Sequence, residues 1–437
     1  MAATPSRLCG SWPGSSCAGA CPWITRVSSR SCPGPGNFVS AMADALVAGT
    51  NPYVTTWLEG SALAQAELVA LDWLRELLCL PSTTEGLFLS GGSMANLTGL
   101  ALARAAKLEG MAGRGILYCS DQAHSSVARA ARLLGFGEDQ LVVLRSDRAY
   151  RLEPGTVASR VAADRAAGRV PFCVVANAGT TNTGAIDPLP ELGDLCRREQ
   201  LWLHIDGAYG AAAALSPEGA ALLAGLDGAD SLTLDPHKWL FQPYEIGCLL
   251  VRDGGLLKKT FRALPEYLEA IDGAEEDVNF CDRGPELTRA ARGVKLWMSF
   301  KAFGVDAFRS GITHGLSLAR VAQAAVERLA GWEVVSPAQL GVVCFRCAPP
   351  GTDEDERDRL NAAIADALLQ QGSAMIATTV LRERKVLRMC TINPRTTPED
   401  IEATIALLGE LARPRSRNTG QAPRADSEVI RCGERGA

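Results

Sequence analysis

A lysine and a histidine stand side by side where a short apolar stretch ends, in the segment SLTLDPHKWLFQP (231–243). The alternating leucines of this segment are typical of a buried strand, and Asp235 and Pro236 terminate it. A lysine in a protein interior must be paired, neutralised or used chemically, because burying an ammonium ion costs several kcal/mol. Lys238 is therefore either an exposed loop residue or a reactive amine.

Three other stretches place polar residues where an apolar run ends. In FLSGGSMANL, two glycines and Ser93 precede a helix, which describes either an anion-binding turn at a helix N-terminus or an ordinary capped turn. Asp206 ends the run LWLHID and can bind a cation or cap the next turn. His124 follows the run GILYCS and is either catalytic or structural.

One chemistry uses all of these features together. Pyridoxal phosphate needs an anion-binding turn for its phosphate, a lysine that forms a Schiff base with its aldehyde, and a carboxylate that keeps its pyridine nitrogen protonated. The flat ring of His124 can stack on such a cofactor, and the small side chain of Ala208 leaves room on the opposite face. The residues therefore predict a pyridoxal 5'-phosphate site.

The elements that must position these residues alternate along the chain. Between residues 61 and 206, helix-like patterns alternate with short apolar runs, which predicts βαβ units and a mostly parallel sheet. Ligands of such sheets bind at the carboxyl ends of the strands, where the residues above are found. We expect a large cofactor-binding domain over residues 36–310 and a smaller C-terminal α+β domain over residues 311–412.

The two ends of the chain have a different composition. Residues 1–35 are rich in Ser, Gly, Pro and Cys, and no acidic residue precedes Asp44. This composition resembles that of a transit peptide, but an amphipathic arginine pattern is missing, which favours an atypical, disordered segment. Residues 413–437 show no apolar periodicity, which predicts a disordered tail.

Composition excludes several classes of protein. The chain has 437 residues, of which 47% are hydrophobic, and a net charge of −5, which argues against a nucleic-acid partner. It contains no run of the roughly 18 apolar residues that span a membrane. The 14 cysteines include a CxxC pair at Cys344 and Cys347, but neither a second pair nor nearby histidines complete a zinc site. We expect no metal and a reducing compartment.

Five segments together resemble the group II pyridoxal-phosphate decarboxylases, a family that includes aromatic amino acid, glutamate, histidine and 2,4-diaminobutyrate decarboxylases. They are SGGSMANLTGL, SDQAHSSV, NAGTTNTGAIDPL, HIDGAYG and DPHKWL, and the resemblance covers roughly residues 34 to 412. It implies the aspartate-aminotransferase-like fold type I and a homodimer with active sites at the subunit interface. We expect the enzyme in the cytoplasm. It also implies decarboxylation of an L-amino acid to its amine.

The resemblance assigns roles to individual positions. Lys238 looks like the Schiff-base lysine, Asp206 like the partner of the pyridine nitrogen, and His124 like the residue stacked on the ring. The other positions assigned to the cofactor lie near its phosphate, its ring or the reactive amine. They are Gly92, Ser93 and Ser231 for the phosphate, Thr181 and Ala208 for the ring, and His237 beside Lys238.

Two departures from the family leave alternatives open. Phe280 stands where many members carry a loop tyrosine that protonates the substrate carbon, so the chain is either an aldehyde synthase or a decarboxylase that uses another donor, such as His124. Residues 1–33 do not resemble the usual N-terminal arm, which makes an inactive member a third alternative. The resemblance is greatest to the aromatic branch, and we expect Tyr53, Trp57 and Phe280 to line an apolar substrate pocket.

Overall fold

A seven-stranded sheet forms the centre of the structure, a computed structural model that describes residues 34–109, 112–262 and 277–413. Its strands lie in the order β1-β7-β6-β5-β4-β2-β3. Strand β7 runs antiparallel to both of its neighbours, and the other neighbouring pairs are parallel. The strands are β1 (Glu85–Leu89), β2 (Gly115–Ser120), β3 (Leu141–Leu144), β4 (Val170–Asn177), β5 (Trp202–Asp206), β6 (Ser231–Leu234) and β7 (Gly247–Val251).

Helices connect these strands and cover the sheet. The central strands β2, β5 and β6 are buried along their whole length, as expected for strands with helices packed on both faces. The helices of this part of the chain are α1 (Phe38–Thr50), α2 (Trp57–Leu77), α3 (Gly92–Leu108), α4 (Ser125–Leu133), α5 (Pro154–Ala166), α6 (Leu189–Arg198), α7 (Pro217–Leu222), α8 (Pro236–Trp239), α9 (Gly255–Phe261) and α10 (Gly293–Phe303).

A second, four-stranded antiparallel sheet follows the long helix α11 (Val305–Glu327), in the order β10-β11-β9-β8. It has a hydrophobic core of its own, separate from that of the large sheet. Its elements are β8 (Trp332–Gln339), β9 (Val342–Cys347), α12 (Glu354–Gln371), β10 (Ala377–Leu381), β11 (Arg384–Cys390) and α13 (Pro398–Leu411). The mostly parallel sheet and this smaller α+β unit confirm the predicted fold class.

The predicted domain limits can be compared with the structure at residue 311 and at the two ends of the chain. Helix α11 continues across residue 311, so the boundary expected there falls within a helix. The segments expected to be disordered, 1–35 and 413–437, lie almost entirely outside the described residues. No helix in the described ranges is long and apolar enough to cross a membrane.

Helix α1 packs on the rest of the molecule through polar and small apolar side chains. Asn37 caps the helix and donates to the Phe241 carbonyl at 3.1 Å. Ser40 is fully buried and bonds Gln242 Oε1 at 2.6 Å and Ser299 Oγ at 2.7 Å. Ala43 and Val47 of the same helix face pack in a small apolar cluster, while Phe38, Met42 and Leu46 are exposed.

Candidate active site

A cavity of about 340 Å³ lies at the carboxyl ends of β1, β2, β4, β5 and β6. Its size is within the range of ordinary cofactor and ligand pockets. The parallel direction of these strands brings their following turns to one edge of the sheet. Of the nine residues predicted from the sequence, eight line this cavity: Gly92, Ser93, His124, Thr181, Asp206, Ala208, His237 and Lys238.

The turn between β1 and α3 has room for an anion because it lacks side chains. A Cβ atom at Gly92 would lie 2.8 Å from Asp235 Oδ2 and 2.9 Å from the Ala208 Cβ, so any side chain there would close this part of the cavity. Gly91 precedes the first turn of α3, whose backbone N–H groups and positive dipole end favour a negative charge.

Lys238 lies on the single helical turn α8, directly after β6. Its Nζ atom is 3.0 Å from Asp235 Oδ2, a buried carboxylate at the end of the same strand. The carboxylate's other oxygen, Oδ1, is buried and has no hydrogen-bond partner among the described residues. The lysine amine is thus held at the cavity by an ion pair with a buried carboxylate.

His237 is the buried neighbour of this pair. Its Nδ1 accepts a hydrogen bond from the Ile246 N–H at 3.4 Å, so the proton of the neutral ring is on Nε2, 3.4 Å from Asp235 Oδ2. Burial lowers the pKa of His237, although the nearby Asp235 carboxylate opposes this effect. Near pH 7 the ring is therefore neutral and donates toward the same carboxylate that Lys238 contacts.

Asp206 lies at the end of β5 and is held from both sides. Its Oδ1 accepts from the Ala208 N–H at 3.1 Å, and its Oδ2 accepts from Asn96 Nδ2 at 2.8 Å. Both contacts are donors, so both carboxylate oxygens act as acceptors. An ionised carboxylate here can keep a ligand's basic ring nitrogen protonated.

His124 is the N-cap of α4 and lies exposed at the cavity. Its Nδ1 accepts from the Ser126 N–H at 3.3 Å and lies 2.8 Å from Ser126 Oγ. Since Nδ1 is an acceptor, the proton of the neutral ring is on Nε2. Thr181 follows β4 and lines the cavity, as does Ala208.

Two residues that the sequence reading missed support this site. Asn96 is one helical turn after Gly92 and lines the cavity, and His204 precedes Asp206 by two positions on β5. In a strand, residues two positions apart point to the same face, so the pairing of His204 with Asp206 could have been recognised in the sequence. The contact of His204 Nε2 with Asn96 Oδ1, at 3.0 Å, depends on how α3 packs on the sheet.

The structure corrects the expectation for Ser231. This residue begins β6, at the end of the strand opposite the cavity, and does not line it. Its Oγ atom accepts from Trp202 Nε1 at 2.8 Å and contacts His204 Nδ1 at 2.7 Å. Ser231 is therefore part of a buried hydrogen-bond network and is not placed to bind a phosphate in the cavity.

The structure also corrects the expectation for Phe280. Its side chain is buried beneath the guanidinium of Arg289, 4.4 Å from the ring centre, and it does not line the cavity. Tyr53 and Trp57 do not line it either. Phe280 thus occupies a packed site and does not line the cavity, while the aldehyde-synthase alternative, which rests on the missing tyrosine, stays a prediction.

Trp239, the third residue of the reactive segment, supports the turn that carries Lys238. It is fully buried, and its ring stacks on Tyr209 with 5.2 Å between ring centres. Tyr209 in turn accepts the Gly341 N–H at 3.1 Å, which links this turn to the beginning of β9. The aromatic pair fixes the backbone on which the lysine is mounted.

The residues present fit pyridoxal phosphate. The turn at Gly92 would be filled by any Cβ atom and offers helix N–H groups to a phosphate. Asp206 offers a carboxylate to a ring nitrogen, and Lys238 offers an amine to an aldehyde. Cys344 and Cys347 lie buried on β9 as free thiols, and among the described residues no three His, Cys, Asp or Glu side chains are grouped as metal ligands.

Comparisons with known proteins agree with this arrangement. Residues 31–348 match the pyridoxal-dependent decarboxylase conserved domain. The chain is 48% identical to the aromatic-L-amino-acid decarboxylase of Bacillus atrophaeus over 87% of its own length and 80% of that protein. It is 33% identical to the L-2,4-diaminobutyrate decarboxylase of Rhizobium meliloti (strain 1021), over 85% of this chain and 74% of the relative.

A solved structure shows the same fold. The crystal structure of Oryza sativa TDC with PLP and tryptamine superposes with a TM-score of 0.86 at 30% sequence identity. The match covers 92% of this chain and 85% of the rice chain.

Proposed function

This chain belongs to the pyridoxal-dependent decarboxylase family and has its fold type I architecture, and we propose that it decarboxylates aromatic L-amino acids with pyridoxal phosphate held at Lys238. It is a pyridoxal-phosphate-dependent amino acid decarboxylase. The aromatic preference is supported by the 48% identity to an aromatic-L-amino-acid decarboxylase.

The observation that carries the proposal is the convergence of three groups on one cavity. The anion-binding turn at Gly92, the Asp206 carboxylate and the Lys238 amine come from turns after three different strands and line the same space. Each group matches one demand of the cofactor, and the parallel sheet places them together.

The bound cofactor supplies an electron-accepting ring that takes up the electron pair released when the bond from the substrate's Cα to its carboxylate breaks. The chain's own residues prepare and direct that event. Gly92 and Ser93 would hold the phosphate and Asp206 the ring nitrogen, whose positive charge the carboxylate stabilises. Ala208 and His124 would confine the ring from its two faces.

Proton transfer is divided between two groups in the cavity. Lys238, whose Nζ atom lies 3.0 Å from Asp235 Oδ2, must give up its proton to become the free amine that reacts with an aldehyde. His124, with its proton on Nε2, is the described residue best placed to return a proton to the substrate carbon.

The acting unit in this proposal is a homodimer. Helix α1 turns Phe38, Met42 and Leu46 outward at 76%, 46% and 56% exposure, in a stripe with a spacing of four residues. Leu58, at the start of α2, is also exposed, at 75%. An outward apolar face on a helix anchored by polar contacts is unfavourable unless another surface covers it, and a second copy of this chain would do so.

A cytoplasmic location completes the proposal. The cysteines of the described residues are all free thiols, and most of them are buried. Burial raises the pKa of Cys119 to about 12 and that of Cys347 to about 11, so these thiols are protonated and inert near neutral pH. Free, unreactive thiols suit a reducing compartment.

The covalent part of the proposal can be tested by trapping. The full chain is incubated with pyridoxal phosphate, reduced with borohydride and digested, and the peptides are mapped by mass spectrometry. We expect the label on Lys238 and a loss of label in Lys238→Ala, while Lys295→Ala, which removes a buried lysine outside the cavity, keeps it. Label that is absent from Lys238 would contradict the proposal.

The substrate class can be tested by a direct comparison. The loaded enzyme is given aromatic, acidic and basic L-amino acids separately, and the release of CO₂ and amine is measured. We expect kcat/KM to be at least about tenfold higher for the best aromatic substrate than for glutamate or 2,4-diaminobutyrate. Preferred turnover of 2,4-diaminobutyrate would instead assign the chain to the other branch.

A further inference from the structure

A chain of buried hydrogen bonds leads from the sheet interior to the cavity. It joins Trp202, Ser231, His204 and Asn96, and it ends at Asp206 and, through Ser126, at His124. Apart from His124, these side chains are nearly inaccessible to solvent. The inference that follows deepens the proposed function and rests on it.

The orientation of the Asn96 amide is determined by its neighbours. An ionised carboxylate can only accept, so the Asn96 NH₂ group must face Asp206 Oδ2 at 2.8 Å. The same NH₂ group donates to Ser126 Oγ at 2.9 Å. The amide oxygen therefore faces away, toward Thr233 Oγ1 at 2.8 Å and His204 Nε2 at 3.0 Å. All four hydrogen-bonding positions of this amide are used.

This orientation also determines the tautomer of His204. The Asn96 oxygen cannot donate, so Nε2 of the imidazole must carry the proton. Burial lowers the pKa of His204 to about 4, although the Asp206 charge opposes the shift, and the ring is neutral near pH 7. Nδ1 is then an acceptor for the Ser231 hydroxyl at 2.7 Å, and Ser231 Oγ accepts the indole N–H of Trp202 at 2.8 Å.

Every bond in this chain therefore points in the same direction. Trp202 donates to Ser231, Ser231 to His204, His204 to Asn96, and Asn96 to the Asp206 carboxylate. Hydrogen bonds arranged head to tail in a low-dielectric interior strengthen one another. The second branch runs from Asn96 through the Ser126 hydroxyl to His124 Nδ1, and places the proton of His124 on Nε2.

Helix α3 has a glycine where the imidazole needs space. A Cβ atom at Gly99 would lie 2.6 Å from Cε1 and 2.8 Å from Nδ1 of His204. Glycine inside a helix is unfavourable by about 1 kcal/mol relative to alanine, so its presence here indicates a steric requirement. The helix is thus shaped to accept this ring next to Asn96.

We propose that His204 and Asn96 are positioning residues of the decarboxylase: His204, locked as its Nε2–H tautomer, orients the Asn96 amide, and Asn96 in turn holds both Asp206 and His124. Neither residue needs to touch the reacting atoms. Their contribution is a fixed carboxylate for the cofactor ring nitrogen and a fixed tautomer for His124.

The tautomer can be observed without cofactor or substrate. The full-length chain with ¹⁵N-labelled histidine is examined by NMR, and the His204 signals are assigned among the 4 histidines by comparison with His204→Gln. We expect a neutral ring protonated on Nε2 at pH 7 and still at pH 5.5. A ring protonated on Nδ1, or a charged ring at pH 7, would overturn the proposal.

The positioning role can be measured through cofactor affinity. Pyridoxal phosphate is titrated into His204→Leu and Asn96→Leu, and we expect the Kd to rise by about tenfold or more as the carboxylate loses its support. His204→Gln, which keeps a donor toward Asn96, should lie within about threefold of the wild type. The control His314→Gln changes a histidine on α11 that bonds the Thr396 carbonyl, outside the cavity, and this variant should bind like the wild type.

The outcomes separate this inference from the proposed function. A wild-type chain that takes up no pyridoxal phosphate would refute the function, while the NMR measurement would still test the tautomer. Wild-type uptake together with an unchanged Kd in His204→Leu would refute the positioning role alone. Equal weakening by His204→Leu and His204→Gln would also refute it, because a donor at Nε2 would then be irrelevant.

Discussion

Single side chains in this site are chosen for their protonation state as much as for their shape. Lys238 lies beside the acceptor Asp235, His237 is kept neutral by burial, and Asp206 receives only donors. The neutral His237 and the hydrogen-bonded Asp206 carboxylate suit a reaction at a bound aldehyde and a protonated ring. The same logic makes the stability of the protein sensitive to pH at particular residues.

The neutral His204 gives a first prediction. Its pKa is lowered from 6.5 to about 4, so between these values the unfolded chain binds a proton that the folded chain does not. The stability that this residue contributes is complete above pH 6.5 and falls with pH by about 3 kcal/mol down to pH 4. We expect the difference in unfolding free energy between wild type and His204→Gln to change accordingly from pH 7 to pH 4.5, measured with guanidinium.

Asp187 changes the pH dependence of stability in the opposite direction, but it does not affect the comparison of wild type with His204→Gln. Burial raises its pKa to about 6, so it stabilises the folded chain as the pH falls. That contribution is present in both proteins and cancels in their difference. A difference that stayed constant over the pH range would contradict a buried, neutral His204.

Phe280 gives the second prediction. Its ring is 1% exposed and packs under Arg289, which itself pairs with the buried Glu67 at 2.6 Å. A hydroxyl group added in Phe280→Tyr would have to be buried, and we expect a loss of stability of roughly 1–3 kcal/mol by denaturant unfolding. The product should remain the amine, with no hydrogen peroxide released by either protein. A different product from wild type and Phe280→Tyr would show that Phe280 takes part in the reaction.

Among the elements, α3 contributes most to the site. It begins with the anion-binding turn, presents Asn96 one turn later and has a glycine opposite His204. One face of this helix therefore serves the phosphate, the carboxylate and the buried imidazole in succession. Its position on the sheet sets the geometry of all three.

The third prediction concerns Gly99→Ala, which tests the close fit between α3 and the His204 ring. The added methyl group would be 2.6 Å from His204 Cε1, so either the ring or the helix must move. We expect a loss of about 1–3 kcal/mol in unfolding free energy and a weaker binding of pyridoxal phosphate. Gly155→Ala in α5 is the matched control, because its Cβ would meet nothing within 4 Å and alanine favours the helix. Equal stabilisation by both substitutions would refute the steric argument.

The elements also show what the sequence could predict. The apolar runs and the residues that follow them were sufficient to place Asp206 and Lys238 at one edge of a parallel sheet, because strand direction determines where such residues meet. Ser231 was misplaced because it begins a strand whose far end carries the site, roughly 10 Å away at about 3.3 Å per residue. The expectation that Phe280 lines the substrate pocket was wrong. This residue lies in a short 3₁₀ turn (Phe280–Asp282), where no apolar periodicity predicts the direction of a side chain. The partnership of Asn96 with His204 depends on packing between α3 and β5, which local patterns do not encode.

At the scale of the whole molecule, the outward apolar face of α1 leads to the fourth prediction. Met42→Glu places a charge in the centre of the stripe formed with Phe38 and Leu46, and we expect the chain to shift from dimer to monomer in light scattering. Leu369→Glu changes an exposed leucine on α12, 42% accessible, and should leave the dimer intact. A wild-type chain that is monomeric at micromolar concentration would contradict the proposed assembly.

The cavity is built from turns that follow five strands between residues 85 and 234, so a ligand that needs all of them can bind only a completely assembled sheet. Binding of this kind stabilises the folded chain by mass action, by about 2.7 kcal/mol when the free ligand is at a hundred times its Kd. Chains without the vitamin-derived ligand would populate open states more often and be degraded sooner. The cellular amount of this enzyme should therefore rise and fall with the supply of vitamin B6, even at a constant rate of synthesis.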